Sequence, residues 1–582
     1  MEIRILIKNG AVVDGTGAPV YDADVRIAHG RIVEIGKGLQ AALGERVVDA
    51  TGCYVTPGFI ETHNHWDGGV WWTPNMEPLP AYGATTSING NCGFSLAPAP
   101  RTEEDRHDVI DIFNYFEDIP EEPMKQIVPW DWSKWSEYKA SMQAKVRLPL
   151  NYCSFCGHIP IRLTVMGQDA WKRAATADEI AQMCALLDDA LAAGAMGLSS
   201  NYLDYDKYER PLPSQFADDA EFEALLGVLA KYPGATFQVI LDYFMRKVGN
   251  EQLERMGRLA KSAGVKMQWA GMPGLEFMKP QLARAEELHE QFKAEGLPFF
   301  TAFNVVSPTS AIDFGRTLVF GQNGNPVWQD MVNQPTWAAK AKLLADPAWR
   351  DAARTSWDEQ FDHSFLHDPT TMLLRESETG YGPVGIRLDE YMAQVGIAHA
   401  SDAMATWVLN NGEGSNILKK SWPKNEEVMV KLLNDSHSLA NVTDAGAHGK
   451  LFCGAGYTAF LLTDYVRDRK ILSIERAVHM LTWRLADFFG LHDRGKIEVG
   501  LAADITVFDL SEIEMRPERK TWDVWDGTGG RTYRYTRDGA PMRLTLVNGV
   551  PTFDRGEFAG RYPGEFIGPE LAGGAELAIA AE

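Results

Sequence analysis

The sequence predicts an α/β protein: a (β/α)₈ TIM-like barrel joined to a small β-sandwich that is formed by both chain ends. Three observations predict it. The chain of 582 residues exceeds one ordinary domain but suits a barrel with a satellite. Its middle carries eight short apolar runs separated by helical stretches, at 54–60, 84–89, 148–154, 195–200, 236–241, 265–270, 298–303 and 439–444. Both ends read instead as strands broken by tight turns.

At the start, residues 2–8, 11–14 and 22–28 are expected strands, punctuated by Asn9-Gly10, Asp14-Gly15-Thr16-Gly17 and His29-Gly30. The same texture returns at 504–509 and 544–550, so residues 1–55 and 491–565 are assigned to the sandwich. Residues 56–490 are the barrel, with a long insertion near 304–436 that is expected to cover its mouth, since no ordinary loop is that long. An amphipathic helix at 474–482 follows the eighth run, and residues 566–582 read as a tail.

Hydrophobic residues make up 45% and charged residues 23%, the balance of a globular enzyme. A net charge of -23 argues against nucleic acid or an anionic membrane as partner, because both require basic patches. Residues 1–8 alternate like a strand and no long apolar run exists, so a cytoplasmic location is expected, and a homo-oligomer stays open. Six cysteines without a dense pattern fit a reducing compartment, and Cys153 and Cys156 are expected to pack in the core.

The chemistry centres on Gly58-Phe59-Ile60-Glu61-Thr62-His63-Asn64-His65-Trp66-Asp67. Residues two apart on an extended segment point to one side, so His63 and His65 present both imidazoles to one metal ion. In a barrel the active site lies at the C-terminal ends of the strands, which directs attention to the end of each run. Trp66, and Trp269 at the end of the sixth run, are candidate aromatic contacts at the mouth, favouring a bulky apolar or aromatic amide.

An apolar strand, Pro57-Gly58-Phe59 and then two histidines and an Asp resemble the first strand of the amidohydrolase superfamily. Asn91-Cys92-Gly93 followed by Leu96-Ala97-Pro98 is similar to the N-acyl-D-amino-acid deacylases, or D-aminoacylases. Gly157-His158 with Arg162, Gly194 to Ser200, and Thr443-Asp444 with His448 resemble further stretches of that family. The resemblance implies Cys92 and Asp444 as metal ligands beside His63 and His65, and Asp444 as proton shuttle. It also implies His158 as a donor near the oxyanion, His448 near the substrate, and Lys450 in place of an Arg that binds the substrate carboxylate.

The family's histidines at the ends of strands five and six are absent, since 235–242 and 266–272 contain none. Two outcomes remain: one divalent metal, expected to be zinc, held by His63, His65 and Asp444 with Cys92, or a site that has lost its metal. The first is the expectation, with a small-molecule amide, an N-acyl amino acid or an aromatic amide, as substrate. A cyclic amide or ester hydrolase and an inactive binding protein are the alternatives.

Overall fold

The computed structural model describes residues 3–307, 309–420 and 422–569. Strands from both ends of the chain lie in one sheet. Its order runs Glu557–Phe558, Val550–Asp554, Met542–Val547, Ile505–Phe508, Tyr54–Pro57, Ile5–Val12, Tyr21–Ala28 and Arg31–Gly36, with Arg46–Asp49 also on Ile5–Val12. Alternation buries Ile5, Ile7, Val25, Val507 and Leu544 on a shared apolar face. The segment read as a single first strand, 54–60, is divided. Tyr54–Pro57 joins this sheet, and Gly58 carries the chain past Thr85, where a Cβ would lie 2.1 Å from Thr85 Cγ2. Burial patterns could not reveal that break, because both halves are apolar.

Beyond Gly58 the strands are parallel. We number them β1 (Phe59–Glu61, continued by His63–Asn64), β2 (Ala84–Asn89), β3 (Asn151–Ser154, continued by Cys156–Gly157) and β4 (Gly197–Asn201). They go on as β5 (Thr236–Ile240), β6 (Lys266–Ala270), β7 (Phe299–Ala302) and β8 (Ser438–Leu439 and Val442–Ala445). Each pairs in parallel with the next, and Val442 of β8 pairs with His63 of β1. The eighth strand breaks at Asn441, which has φ 70° and donates its side-chain amide to Ile60 O at 2.6 Å. Cys153 and Cys156 are fully buried on β3.

Between β7 and β8 the chain builds a separate antiparallel sheet of Thr309–Asp313, Asn416–Lys420 and Met372–Glu376. Helices pack over it around Ile312, Phe320, Trp328, Leu374 and Trp407, and Leu451 and Phe452 from the loop after β8 enter that same core. The hairpin Glu518–Trp525 and Arg531–Arg537 lies outside the shared terminal sheet. It grips the same loop, with Tyr535 N donating to Gly449 O at 2.6 Å.

Residues 566–569, read as the start of a tail, are packed. The Phe566 ring sits 5.3 Å from Trp135 and 5.1 Å from Tyr152. The remainder of that expected tail, from 570 on, lies outside the described residues. Among the described residues no helix is long and apolar enough to cross a membrane.

Candidate metal centre

His63 and His65 end β1 with Asn64 between them, and Asn64 ties the neighbouring strands to that spot. Its Oδ1 accepts from Thr443 Oγ1 at 2.7 Å and from Ala445 N at 3.1 Å, while its Nδ2 donates to Ser87 Oγ at 2.8 Å. Strands β1, β2 and β8 are thereby locked in register around the two imidazoles. The Nε2 atoms face the other donors. His63 Nε2 is 3.0 Å from Cys92 Sγ and 3.4 Å from Asp444 Oδ1. His65 Nε2 is 3.8 Å from Cys92 Sγ and 4.0 Å from Asp444 Oδ1. Bonds of about 2.0–2.3 Å around a tetrahedral zinc set ligand atoms roughly 3.3–3.8 Å apart, close to this spread. His63, His65 and Cys92 are buried, whereas the Asp444 side chain keeps 29% of its exposure and is the donor reached from solvent.

Cys92 stands at φ 57°, and its backbone is held on both sides. Its N–H donates to Gln238 Oε1 at 3.0 Å, and its carbonyl accepts from Asn201 Nδ2 at 3.0 Å. Gln238 of β5 and Gln268 of β6 pair in register, fully buried, at the strands where the resemblance led one to look for histidines. Gln238 therefore orients the cysteine loop. Gln268 is left with neither amide atom hydrogen-bonded.

A carboxylate that no motif announced completes the surroundings. Glu117 caps the C-terminus of α1 (Glu103–Phe116) and is 4% exposed; its Oε1 is 3.6 Å from His65 Nε2 and its Oε2 3.7 Å from His448 Nε2. Nothing in a helical stretch 25 positions beyond Cys92 marks it in the sequence. The tip of α1 is pinned to the loop after β8, since His448 N donates to Glu117 O at 2.5 Å and Lys450 N to Asp118 Oδ2 at 2.6 Å.

The electrostatics identify what the cluster requires. Burial pushes the His63 pKa down to about 4, and burial together with His63 and His448 holds His65 well below its usual value. Burial, and then Asp444, Asp204 and Asp67, raise Glu117 far above the carboxylate range; Cys92 is raised by burial, Glu117 and the same three acids. Neutral imidazoles, a thiol and several acids that repel one another converge with no cation among them. A divalent ion would favour the deprotonated thiol and carboxylate against that burial, and the donor set of two imidazoles, a thiolate and a carboxylate suits zinc.

Two residues that sequence reasoning set at the site are elsewhere. His158 is wholly buried with both ring nitrogens engaged, Nδ1 with Ser200 Oγ at 3.0 Å and Nε2 with Glu221 Oε1 at 2.7 Å, while Arg162 also pairs with Glu221. No nitrogen remains to face an oxyanion. Trp269 lies on the opposite face of β6 from Gln268, so strand alternation turns it outward, where its ring is 6.1 Å from His289 on the helix Lys279–Ala294. Trp66 and Lys450 do meet, lining one cavity with Asp118, Gly446 and Tyr533, and the Lys450 ammonium stands 5.6 Å from the Tyr533 ring.

The amidohydrolase family pattern matches residues 46–351 and 392–553. An N-acyl-D-glutamate deacylase of Alcaligenes xylosoxydans xylosoxydans is 26% identical over 95% of this chain and 94% of its own length. A solved D-aminoacylase superposes with a TM-score of 0.64 at 21% identity, covering 97% of this chain and 99% of that one. An N-acyl-D-glutamate deacylase from Bordetella bronchiseptica, solved with zinc and a phosphonate mimic of the tetrahedral intermediate, superposes at 0.62 with 22% identity, covering 97% and 100%.

Proposed function

The chain belongs to the amidohydrolase family and is a metal-dependent hydrolase of carbon-nitrogen bonds other than peptide bonds, and from that premise we propose that it deacylates N-acyl amino acids at one divalent ion, zinc. The observation that carries this reading is the convergence of His63, His65, Cys92 and Asp444, donors from three strand ends, within 4.0 Å of a histidine Nε2. The parallel pairings are read as an eight-stranded (β/α)₈ barrel of amidohydrolase type, residues 1–55 and 491–565 as its sandwich, and 304–436 as the insertion.

His63, His65 and Cys92 would hold the ion, with Asp444, the more exposed donor, completing the set. Bound there, the ion supplies Lewis acidity that polarises an amide carbonyl and lowers the pKa of a water from near 16 towards about 7. Asp444, the exposed donor, accepts the proton of the attacking water at Oδ1 and returns it to the departing nitrogen. Cys92 is kept on its strand end by Gln238 and Asn201, so the thiolate geometry does not relax between steps. Lys450 is assigned to the substrate carboxylate and Trp66 to the wall beside it, with His448 above Glu117. Lys presents a point charge rather than a fork, so recognition of the substrate carboxylate should be looser.

Metal content by plasma mass spectrometry tests the reading. About one ion per chain is expected in the purified protein and almost none in a His63→Ala, His65→Ala variant, with release of acyl groups from N-acyl-D-amino acids lost in parallel. A protein that holds no ion even after incubation with zinc would sink the proposal.

A further inference from the structure

Glu117 sits where its own helix does not favour a carboxylate. It closes α1 at the carbonyl end, where the helix dipole disfavours a negative charge, and it is 4% exposed. Among the described residues neither of its carboxylate oxygens accepts a hydrogen bond; the nearest partners are His65 Nε2 at 3.6 Å and His448 Nε2 at 3.7 Å. A buried carboxylate without a donor is costly unless a cation completes it. Its separation from His65 equals that between neighbouring ligands of one ion, and it is nearer to that nitrogen than Asp444 Oδ1 is, at 4.0 Å.

We propose that Glu117 is a protein ligand of the metal centre, delivered by a helix end instead of a barrel strand, and that it makes good the ligands missing from β5 and β6. The inference rests on the single-ion reading above. The backbone argues the same way. His448 N–H binds Glu117 O, and Asp118 binds Lys450 N–H, so the tip of α1 and the loop after β8 form one clamp. That clamp holds the carboxylate against the histidines, while the neighbouring polar positions on β5 and β6 are occupied by Gln238, which is spent on Cys92, and by Gln268. His448 is a positioning residue that faces the second carboxylate oxygen.

The test uses Glu117→Gln, which keeps shape and removes charge, and Glu117→Asp, which keeps charge and shortens the reach. Zinc affinity is measured by competition with a chelator, and the cobalt-substituted proteins are compared by absorption spectroscopy. Glu117→Gln is expected to weaken zinc about ten- to hundredfold and to alter the visible cobalt bands, with the Cys92-to-cobalt charge-transfer band retained. Glu117→Asp should recover part of the affinity. Thermal unfolding of the metal-free proteins separates a ligand from a structural ion pair. Removing one acid from an acid-rich site should leave the metal-free protein as stable as wild type or more so. If metal-free Glu117→Gln melts lower, Glu117 is a partner of His448 and the inference falls. Unchanged affinity and an unchanged cobalt spectrum would overturn it while leaving the single-ion reading intact. Failure of the wild-type protein to bind zinc would remove both.

Discussion

Two buried clusters in this molecule each bring histidine and glutamate together, and they are built on opposite plans. Around His158 the imidazole and the carboxylate are both answered: Ser200 and Glu221 take the two ring nitrogens, and Arg162 takes the other carboxylate oxygen. Around His65, the Glu117 and Asp444 carboxylates stand at 3.6 and 4.0 Å, too far to hydrogen-bond, and Cys92 Sγ is the partner within reach at 3.8 Å. The first cluster is closed by its own partners. The second, on the reading proposed above, is completed by an ion. A His and Glu in proximity therefore say little about function until the unmet valences are counted, and the same residue types give structure in one place and chemistry in the other.

The largest effect that separates the two belongs to Asp444→Asn. The variant should keep its ion, because His63, His65 and Cys92 remain, yet turnover should fall by roughly 10²–10⁴ as the proton carrier is lost. Metal analysis beside steady-state rates checks this, and full turnover would remove Asp444 from the proton pathway.

Next comes Glu221→Gln, where stability should drop by about 3–5 kcal/mol because Arg162 is left as a buried charge without its partner. Zinc affinity should not move. Denaturant unfolding and chelator competition on the same preparation read both quantities, and a variant that lost its ion would dissolve the distinction between the clusters.

The contrast also has a pH signature. Burial works to raise the Glu221 pKa, but the hydrogen bond and charge of His158 and the charge of Arg162 outweigh it and hold the carboxyl below its ordinary value. A depressed acid contributes stability that is fully present above the unfolded-state pKa, about 4.3, and is lost as pH falls through the lower folded value. Unfolding free energy measured from pH 6 downward should therefore decline less in Glu221→Gln than in wild type. Parallel curves would show that Glu221 does not carry this dependence.

The smallest effect is expected from Trp269→Phe. The ring packs on His289 outside the strands, so KM should change less than twofold while stability falls on the order of 1 kcal/mol. A large rise in KM would return Trp269 to the substrate.

The His63 and His65 pair was legible from its two-residue spacing at the end of an apolar run, whereas Cys92 and Asp444 were pointed to only by the resemblance to the deacylases. The fate of His158 was not legible, because its partner Glu221 lies on a helix 63 positions away and no local pattern pairs them. Trp269 failed for a different reason. It stands at the end of the sixth run, but one sequence cannot say which of two buried faces of a strand looks inward.

The sequence by itself determined the eight apolar runs of the middle, the strand-and-turn texture of both ends and the two-residue spacing of the imidazoles, since these follow from local periodicity and turn chemistry. Tertiary structure alone decided that Tyr54–Pro57 serves the terminal sheet, that Gln238 braces Cys92, and that Glu117 arrives at His65 from the end of a helix. Those contacts join residues far apart in the chain, and only the packing of strands, helix tip and loop brings them together.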